Sequence, residues 1–435
     1  MPHFPRTRWV LLAAVCVAFA LRLALAVGRG IGEPPAPGSD QFEYDNYAWN
    51  LAQGRGYRGV SPDVADQDHL TAYRMPGVSL AWAGLYKVAG HRYDVIRVFH
   101  CALGALTVLP VFYIGIRCFG RAAGLLAAGA YAVWPTAVFF STELLSEPIA
   151  TFCFIAFIAV SLRFAHDRSP YTAAAAGLLF GYAILVRPNA VFMLPLLLLW
   201  VVALFSQNPK SLARAALIPL VAVLLLVPWG VRNYLVFERF VPLSTMGGSA
   251  LLMGNNRVVA TDPRYYGCSI WDTRIPEYRE ALRSAGDEIA RDKLAGRFAV
   301  EWLRENPDKW LFLAGVKTVR AWTPFLQPHS PLHFRLGMLL SWGPVLVLFA
   351  ASFFPTAVRL FRGRHPGLLI HLAVLQFILG SLIFFGEARY RQAIEPLCLI
   401  WAAVTLLQLA RWFRPALFTR GSAVTRRATP MTATT

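Results

Sequence analysis

Apolar residues in this chain come in long blocks separated by short basic stretches, without the polar/apolar alternation of half-buried strands. A helix needs about 20 apolar residues to cross a hydrocarbon core of ~30 Å, and many windows here meet that length. Only helices and closed barrels satisfy every backbone group in lipid, and barrel strands are shorter and alternate in polarity. The pattern therefore predicts an all-α polytopic membrane protein of about 10–11 transmembrane helices. Spans are expected near 9–27, 95–116, 122–141, 148–164, 172–187, 190–206, 214–231, 334–356, 367–386 and 392–412.

The basic residues orient these spans. Arg6 and Arg8, Arg117 and Arg121, Arg163 and Arg168, Lys210 and Arg214, and Arg359, Arg362 and Arg364 sit in short connections. Positively charged connections stay in the cytoplasm, and ten spans place every one of these clusters on that side, with both termini. Residues 9–26 follow two arginines and end in Ala24-Leu25-Ala26, as a cleaved signal would. The run is long for that role and Arg22 interrupts it, so it reads as a retained signal-anchor. Residues 309–326 are apolar too, but Lys317 and Arg320 fall mid-run. Each would cost roughly 2.5–3.5 kcal/mol at mid-membrane, so this segment reads as an interfacial or bundle-packed helix.

Four regions follow. Residues 1–231 form an N-terminal transmembrane module with a long first exported loop, 28–94. Residues 232–333 form a second exported region with amphipathic and interfacial helices, in which Pro276 to Asn306 reads as one long helix. Residues 334–412 hold the last spans, and 413–435 form a basic cytoplasmic tail that is expected to be disordered.

Composition agrees. Hydrophobic residues make up 56% and charged residues 15%, well below the roughly 25% charge of soluble domains. The net charge of +18 has its source in the loops and tail, so nucleic-acid binding is not implied. Five of the six cysteines lie in or beside apolar blocks, and no pair has disulfide or zinc-knuckle spacing. Gly54-Arg55-Gly56-Tyr57-Arg58-Gly59 has the letters of a dinucleotide fingerprint without its strand and helix, so no nucleotide cofactor is indicated.

The candidate chemistry collects on the exported side. Asp40, Tyr44, Ala48 and Leu51 recur at helical spacing, which puts them on one face of a short helix starting near Ser39 or Asp40. Asp40 is then either the cap of that helix or a general base held at the membrane surface. Arg74, in Tyr73-Arg74-Met75-Pro76-Gly77, either snorkels or binds a lipid phosphate. Glu143 and Glu147, between two apolar helices, either cap a helix or serve the site. Arg187 breaks the next hairpin on that side, and Arg389, Tyr390 and Arg391 mark the exported end of the ninth span.

These residues carry a resemblance. Asp40-x-x-x-Tyr44-x-x-x-Ala48-x-x-Leu51-x-x-Gly54-x-Gly56-Tyr57, Arg74-x-Pro76-Gly77, Ser146-Glu147-Pro148 and Arg187-Pro188 stand in order. Pro228-Trp229-x-x-Arg232-Asn233-Tyr234, Gly254-Asn255-Asn256 and Arg389-Tyr390-Arg391 follow them. The ordered set resembles the GT-C class of membrane glycosyltransferases, in the branch of protein O-mannosyltransferases and the lipid A aminoarabinose transferase. The resemblance implies an enzyme of a bacterial inner membrane, acting on its extracytoplasmic face. It would move sugar from a polyprenyl-phosphate donor to a lipid, glycan or protein acceptor, with inversion. It places the catalytic carboxylate at Asp40, and suggests Glu147 and less directly Glu143 for orienting the acceptor or a metal. Arg74, Arg187, Arg389 and Arg391 are the implied phosphate ligands, with Tyr44 and Tyr390 supporting. A divalent ion sharing the phosphate is left open. Gln41 stands where several relatives carry Glu, which leaves open whether Glu43 or Asp45 takes a supporting role. Other readings of the same residues are a transporter or flippase, or a ligase or polymerase using a pyrophosphate-linked donor.

Overall fold

The computed structural model describes residues 5–59, 68–324 and 331–413, with nineteen α-helices and one two-residue hairpin among them. The tail expectation, beyond residue 413, lies outside the described residues. The chain starts with α1 (Pro5–Gly28) and enters the first polar loop, which holds α2 (Asp40–Ala52), strands β1 (Arg58–Gly59) and β2 (His69–Leu70), and α3 (Gly77–Ala89). The apolar run continues with α4 (Tyr93–Leu106), α5 (Val108–Phe119), α6 (Arg121–Ala132), α7 (Pro135–Phe140) and α8 (Glu147–Asp167). Next come α9 (Pro170–Val186), α10 (Met193–Phe205) and α11 (Pro209–Phe237). The second polar region folds as α12 (Gly247–Gly254), α13 (Arg257–Thr261), α14 (Arg279–Arg283), α15 (Glu288–Glu305) and α16 (Pro307–Trp322). The last helices are α17 (Leu332–Arg362), α18 (Leu368–Ile383) and α19 (Glu395–Phe413).

Seven of the described helices or helix pairs are long and apolar enough to cross a membrane, and α9 and α18 are shorter apolar helices. All ten expected spans coincide with helices, and the chain is a multi-pass membrane protein. The span at 95–116 divides at Thr107 into α4 and α5, and another is interrupted more sharply. The stretch expected at 122–141 breaks between α6 and α7 at Val133-Trp134, because Pro135 has no N–H to carry the ladder through. Arg22 fills the break from α1, donating to the carbonyls of Ala132 (2.8 Å) and Tyr131 (3.4 Å). The arginine that interrupts the first apolar block is thus buried and hydrogen-bonded within the bundle.

Helices in lipid gain little from burying apolar surface against one another, so close backbone approach matters more. Gly177 and Gly181 provide it along α9. A Cβ there would stand 2.7 Å from the Ile218 carbonyl oxygen and 2.8 Å from that of Ala222, both on α11. Helix α8 lies in the middle of the bundle, packed by α4, α5, α9 and α18.

The second polar region departs from the sequence expectation. Pro276 to Asn306 is not one helix. Gly286 adopts φ +77° after α14, and Asp287 restarts the helix, its carboxylate accepting from the amides of Ile289 and Ala290. Helix α16 packs against α18 with Lys317 fully buried, donating to Asn255 Oδ1 (2.7 Å) and the Leu382 carbonyl (3.2 Å).

Candidate functional site

The site assembles where the first polar loop meets the ends of α8, α9 and α18. Helix α2 begins at Asp40 because Ser39 caps it, its Oγ accepting from the Phe42 amide at 3.3 Å. Asp40 is therefore not the cap, and its carboxylate is free to turn towards other elements. Asp40 and Glu43 both lie in the first turn, where the helix N-terminus favours negative charge. Both reach Arg74, just ahead of α3. Its NH2 nitrogen stands 2.7 Å from Asp40 Oδ1, and its Nε donates to Glu43 Oε2 at 2.7 Å. Tyr44, one turn on from Asp40, presents its ring to the Arg74 guanidinium at 5.5 Å.

The other oxygen of Asp40 accepts from Arg389 at 3.0 Å. Arg389 lies on the short 3-10 helix Ala388–Ala393 and also donates to Glu147 at the start of α8. Glu147 Oε1 receives Arg187 at 2.7 Å as well, and Arg187 further donates to Ser146 Oγ at 3.0 Å and lies 4.8 Å over the Tyr390 ring. The result is one chain of alternating charge: Glu43, Arg74, Asp40, Arg389, Glu147, Arg187. Three carboxylates face three guanidiniums, so the resting network is neutral. Glu147 is buried, and its second oxygen has no hydrogen-bond partner among the described residues. Beside this end a cleft of about 400 Å³, including its mouth, is lined mostly by apolar side chains such as Ala150, Phe154 and Phe377, together with Arg187, Gln376 and Tyr390.

The two carboxylates on Arg74 differ in their acidity. Arg74 holds the Asp40 carboxyl well below the usual carboxylate range, against the opposing effect of burial and with help from Arg389. Burial pushes Glu43 up, with Arg74 opposing and the Asp40 charge adding to the rise. A pair driven apart in this way keeps Asp40 ionised and leaves Glu43 the easier to protonate. For a divalent ion the fit is poor. No group of three or more His, Cys, Asp or Glu side chains converges among the described residues, and the site carboxylates already face guanidiniums.

Two of the expected residues stand apart. Arg391 is buried away from this chain, bonded to Glu395 (2.9 Å) and to the carbonyls of Ala321 (2.9 Å) and Thr323 (2.7 Å), with Trp342 beneath it. Two residues on from Arg389 on a tight helical turn, it faces another part of the bundle. Glu143 pairs with Arg29 (2.7 Å) and accepts from Gln41 (2.9 Å), which links it to the site only through the residue after Asp40. Glu43 joins the site, while Asp45 turns away to Tyr86 (2.6 Å) and His91 (3.0 Å). Helical spacing from Asp40 was the available signal for Glu43. Ser146 and Gln41 stood out only through the family motifs, with no role assigned to either.

The fold is shared with solved archaeal oligosaccharyltransferases, and part of the chain matches one family model. Residues 74–231 match the family model described as dolichyl-phosphate-mannose-protein mannosyltransferase. Among solved structures, the archaeal oligosaccharyltransferase AglB from Archaeoglobus fulgidus, in complex with an inhibitory peptide and a dolichol-phosphate, superposes with a TM-score of 0.58 at 14% identity. That match covers 99% of this chain and 53% of the other. The Archaeoglobus fulgidus oligosaccharyltransferase tethered to an acceptor peptide gives 0.56 at 14% identity, over 95% and 51% of the two chains. ArnT from Cupriavidus metallidurans bound to undecaprenyl phosphate gives 0.43 at 16% identity, over 94% and 80%. The chain spans about half the length of the oligosaccharyltransferases it matches. Comparison with curated proteins gives no match.

Proposed function

We propose that this protein is an inverting glycosyltransferase that moves a sugar from a polyprenyl-phosphate donor to an acceptor at the extracytoplasmic face of a bacterial inner membrane, with Asp40 as general base. The observation that carries the reading is the position of Asp40, held between Arg74 and Arg389 at the mouth of the helical bundle. The dolichol-phosphate of the AglB complex and the family model matched by residues 74–231 support a lipid-linked phosphate as donor.

The chemistry follows from the charges. A sugar phosphodiester needs cations to hold its phosphate as negative charge gathers on it. Arg74 and Arg389 supply them, with Arg187 a further cation on the same chain. Each Asp40 oxygen is now tied to one of these arginines. An arriving phosphate competes for those donors, and a carboxylate that loses them becomes more basic. Asp40 then accepts the acceptor proton as the acceptor oxygen bonds to the anomeric carbon. The bond from that carbon to the phosphate oxygen breaks, its electron pair leaves with the polyprenyl phosphate, and in-line attack inverts the centre. Glu147, with its unpartnered oxygen near the cleft, orients the acceptor or a sugar hydroxyl.

The test is transfer from a panel of radiolabelled polyprenyl-phosphate sugars to membrane acceptors by the purified protein and its Asp40→Asn variant. A loss of at least about a hundredfold, the scale of general-base catalysis, with polyprenyl phosphate still bound, is expected. Full transfer by Asp40→Asn would remove Asp40 as the base.

A further inference from the structure

Arg74 meets Asp40 and Glu43 through its Nε and one terminal nitrogen, yet it sits on a loop, where side-chain aim is not set by regular structure. The backbone ahead of it is held from far away in the sequence. Glu288, at the start of α15, accepts from Thr71 Oγ1 at 2.7 Å and from the Ala72 amide at 2.8 Å, using one oxygen for each. Arg232, near the end of α11, donates to the carbonyls of Thr71 (2.8 Å) and Tyr57 (2.9 Å). Its guanidinium is stacked among Trp229, Phe237 and Tyr57, at 5.1, 5.6 and 5.9 Å. The Ala72 carbonyl accepts from the Thr245 amide at 3.0 Å, and Thr71 Oγ1 also accepts from the Tyr73 amide at 2.9 Å. On the other side of Arg74, the Tyr57 hydroxyl donates to the Arg74 and Met75 carbonyls at 3.1 and 3.3 Å.

We infer that Arg232 and Glu288 are positioning residues, which together clamp the backbone of Thr71–Tyr73 and thereby aim Arg74 at Asp40 and at the donor phosphate. This rests on the donor reading above. Two features separate the clamp from ordinary loop packing. Glu288 is a buried carboxylate engaged with a hydroxyl and a backbone amide of the loop, with His69 of the same loop 3.6 Å away, and Arg232 is a cation engaged with two loop carbonyls besides the Asn233 side chain. The two also come from different elements, α11 and α15, and converge on Thr71 from the carbonyl and side-chain directions. A bidentate arginine contact loses most of its value when its geometry loosens. The clamp therefore ties the second polar region to the donor end of the site, although neither residue touches Asp40.

The experiment is a double-mutant cycle on polyprenyl phosphate binding and on sugar transfer, with Glu288→Ala and Arg232→Ala each combined with Arg74→Ala. Thermal unfolding of every variant reports on the fold. Residues that act through one another give non-additive losses, whereas independent effects add. The expected result is at least a fivefold loss of binding from either clamp variant when Arg74 is present, and no further loss once Arg74 is Ala. Glu288→Gln keeps an acceptor for the Ala72 amide and should recover part of the loss, while Arg232→Lys, which cannot reach both carbonyls, should recover less. Losses that simply add overturn the clamp and leave the donor reading standing. A wild-type protein that binds no polyprenyl phosphate and transfers from no donor overturns the donor reading and the clamp with it.

Discussion

Asp40 and Glu43 show how far one side chain's role depends on its partners. Both carboxylates sit in the same turn of α2 and share Arg74, yet Asp40 is held low by that arginine while burial raises Glu43. The signs give a pH prediction. A carboxyl depressed in the fold contributes stability above its unfolded value, about 3.9, and loses it as pH falls through the folded value. Glu43 works the other way, since protonating it as pH falls relieves a burial cost. Protonation of Glu43 should therefore add to the thermal midpoint as pH falls through its raised folded value, and the Asp40 contribution should fall away only below about 4. Asp40→Asn should flatten that acid-side slope when unfolding is followed across the range, and an unchanged slope would show that the ion pairs with Arg74 and Arg389 do not govern it. Exported position, together with the family resemblance, pointed to Asp40, Arg74, Arg187, Arg389 and Glu147, which meet in the structure. Neither could separate Arg389 from Arg391, because residues two apart on a tight turn point in different directions and sequence carries no direction there.

The site depends on where helices start and how closely they approach. Tyr182 of α9 donates to the Gly77 carbonyl at 2.7 Å, and a Cβ on Gly77 would stand 2.6 Å from the backbone of Leu185. That contact fixes the distance between Arg74, three residues before Gly77, and Arg187, two residues after Leu185. Gly77→Ala must push α3 off α9, at a cost of about 1–3 kcal/mol for overpacking. The expected outcome is a lower thermal midpoint together with weaker polyprenyl phosphate binding. A variant with unchanged binding would mean that the two arginines do not need this spacing. Helix existence was legible from apolar blocks, and helix interruptions were less so. Pro135 broke an expected span while the prolines inside α11 and α17 did not. Proline frees a carbonyl in every case, and at Pro135 the freed groups of the break are met by Arg22 from α1, which no local pattern announces.

Across the molecule, charge separates into a basic set in short connections and a paired set at the site. The orientation this implies is open to measurement with a membrane-impermeant thiol reagent on intact cells. Arg283→Cys, exposed in the second polar region, should label directly, and Lys210→Cys, exposed in the connection before α11, should label only after permeabilisation. The reverse pattern would move the proposed chemistry to the cytoplasmic side. By itself the sequence determined the class of fold, the order of the apolar helices, and most of the charged residues that meet at the site. These follow from the cost of polar groups in lipid, which acts locally along the chain and leaves its mark in composition. Tertiary structure alone decided that Asp40 lies between Arg74 and Arg389, that Glu43 joins them, that Arg391 does not, and that Arg232 and Glu288 hold the loop from a distance. Those outcomes depend on which side chains meet across up to 349 residues of separation, and no local pattern encodes the angle at which two distant elements meet.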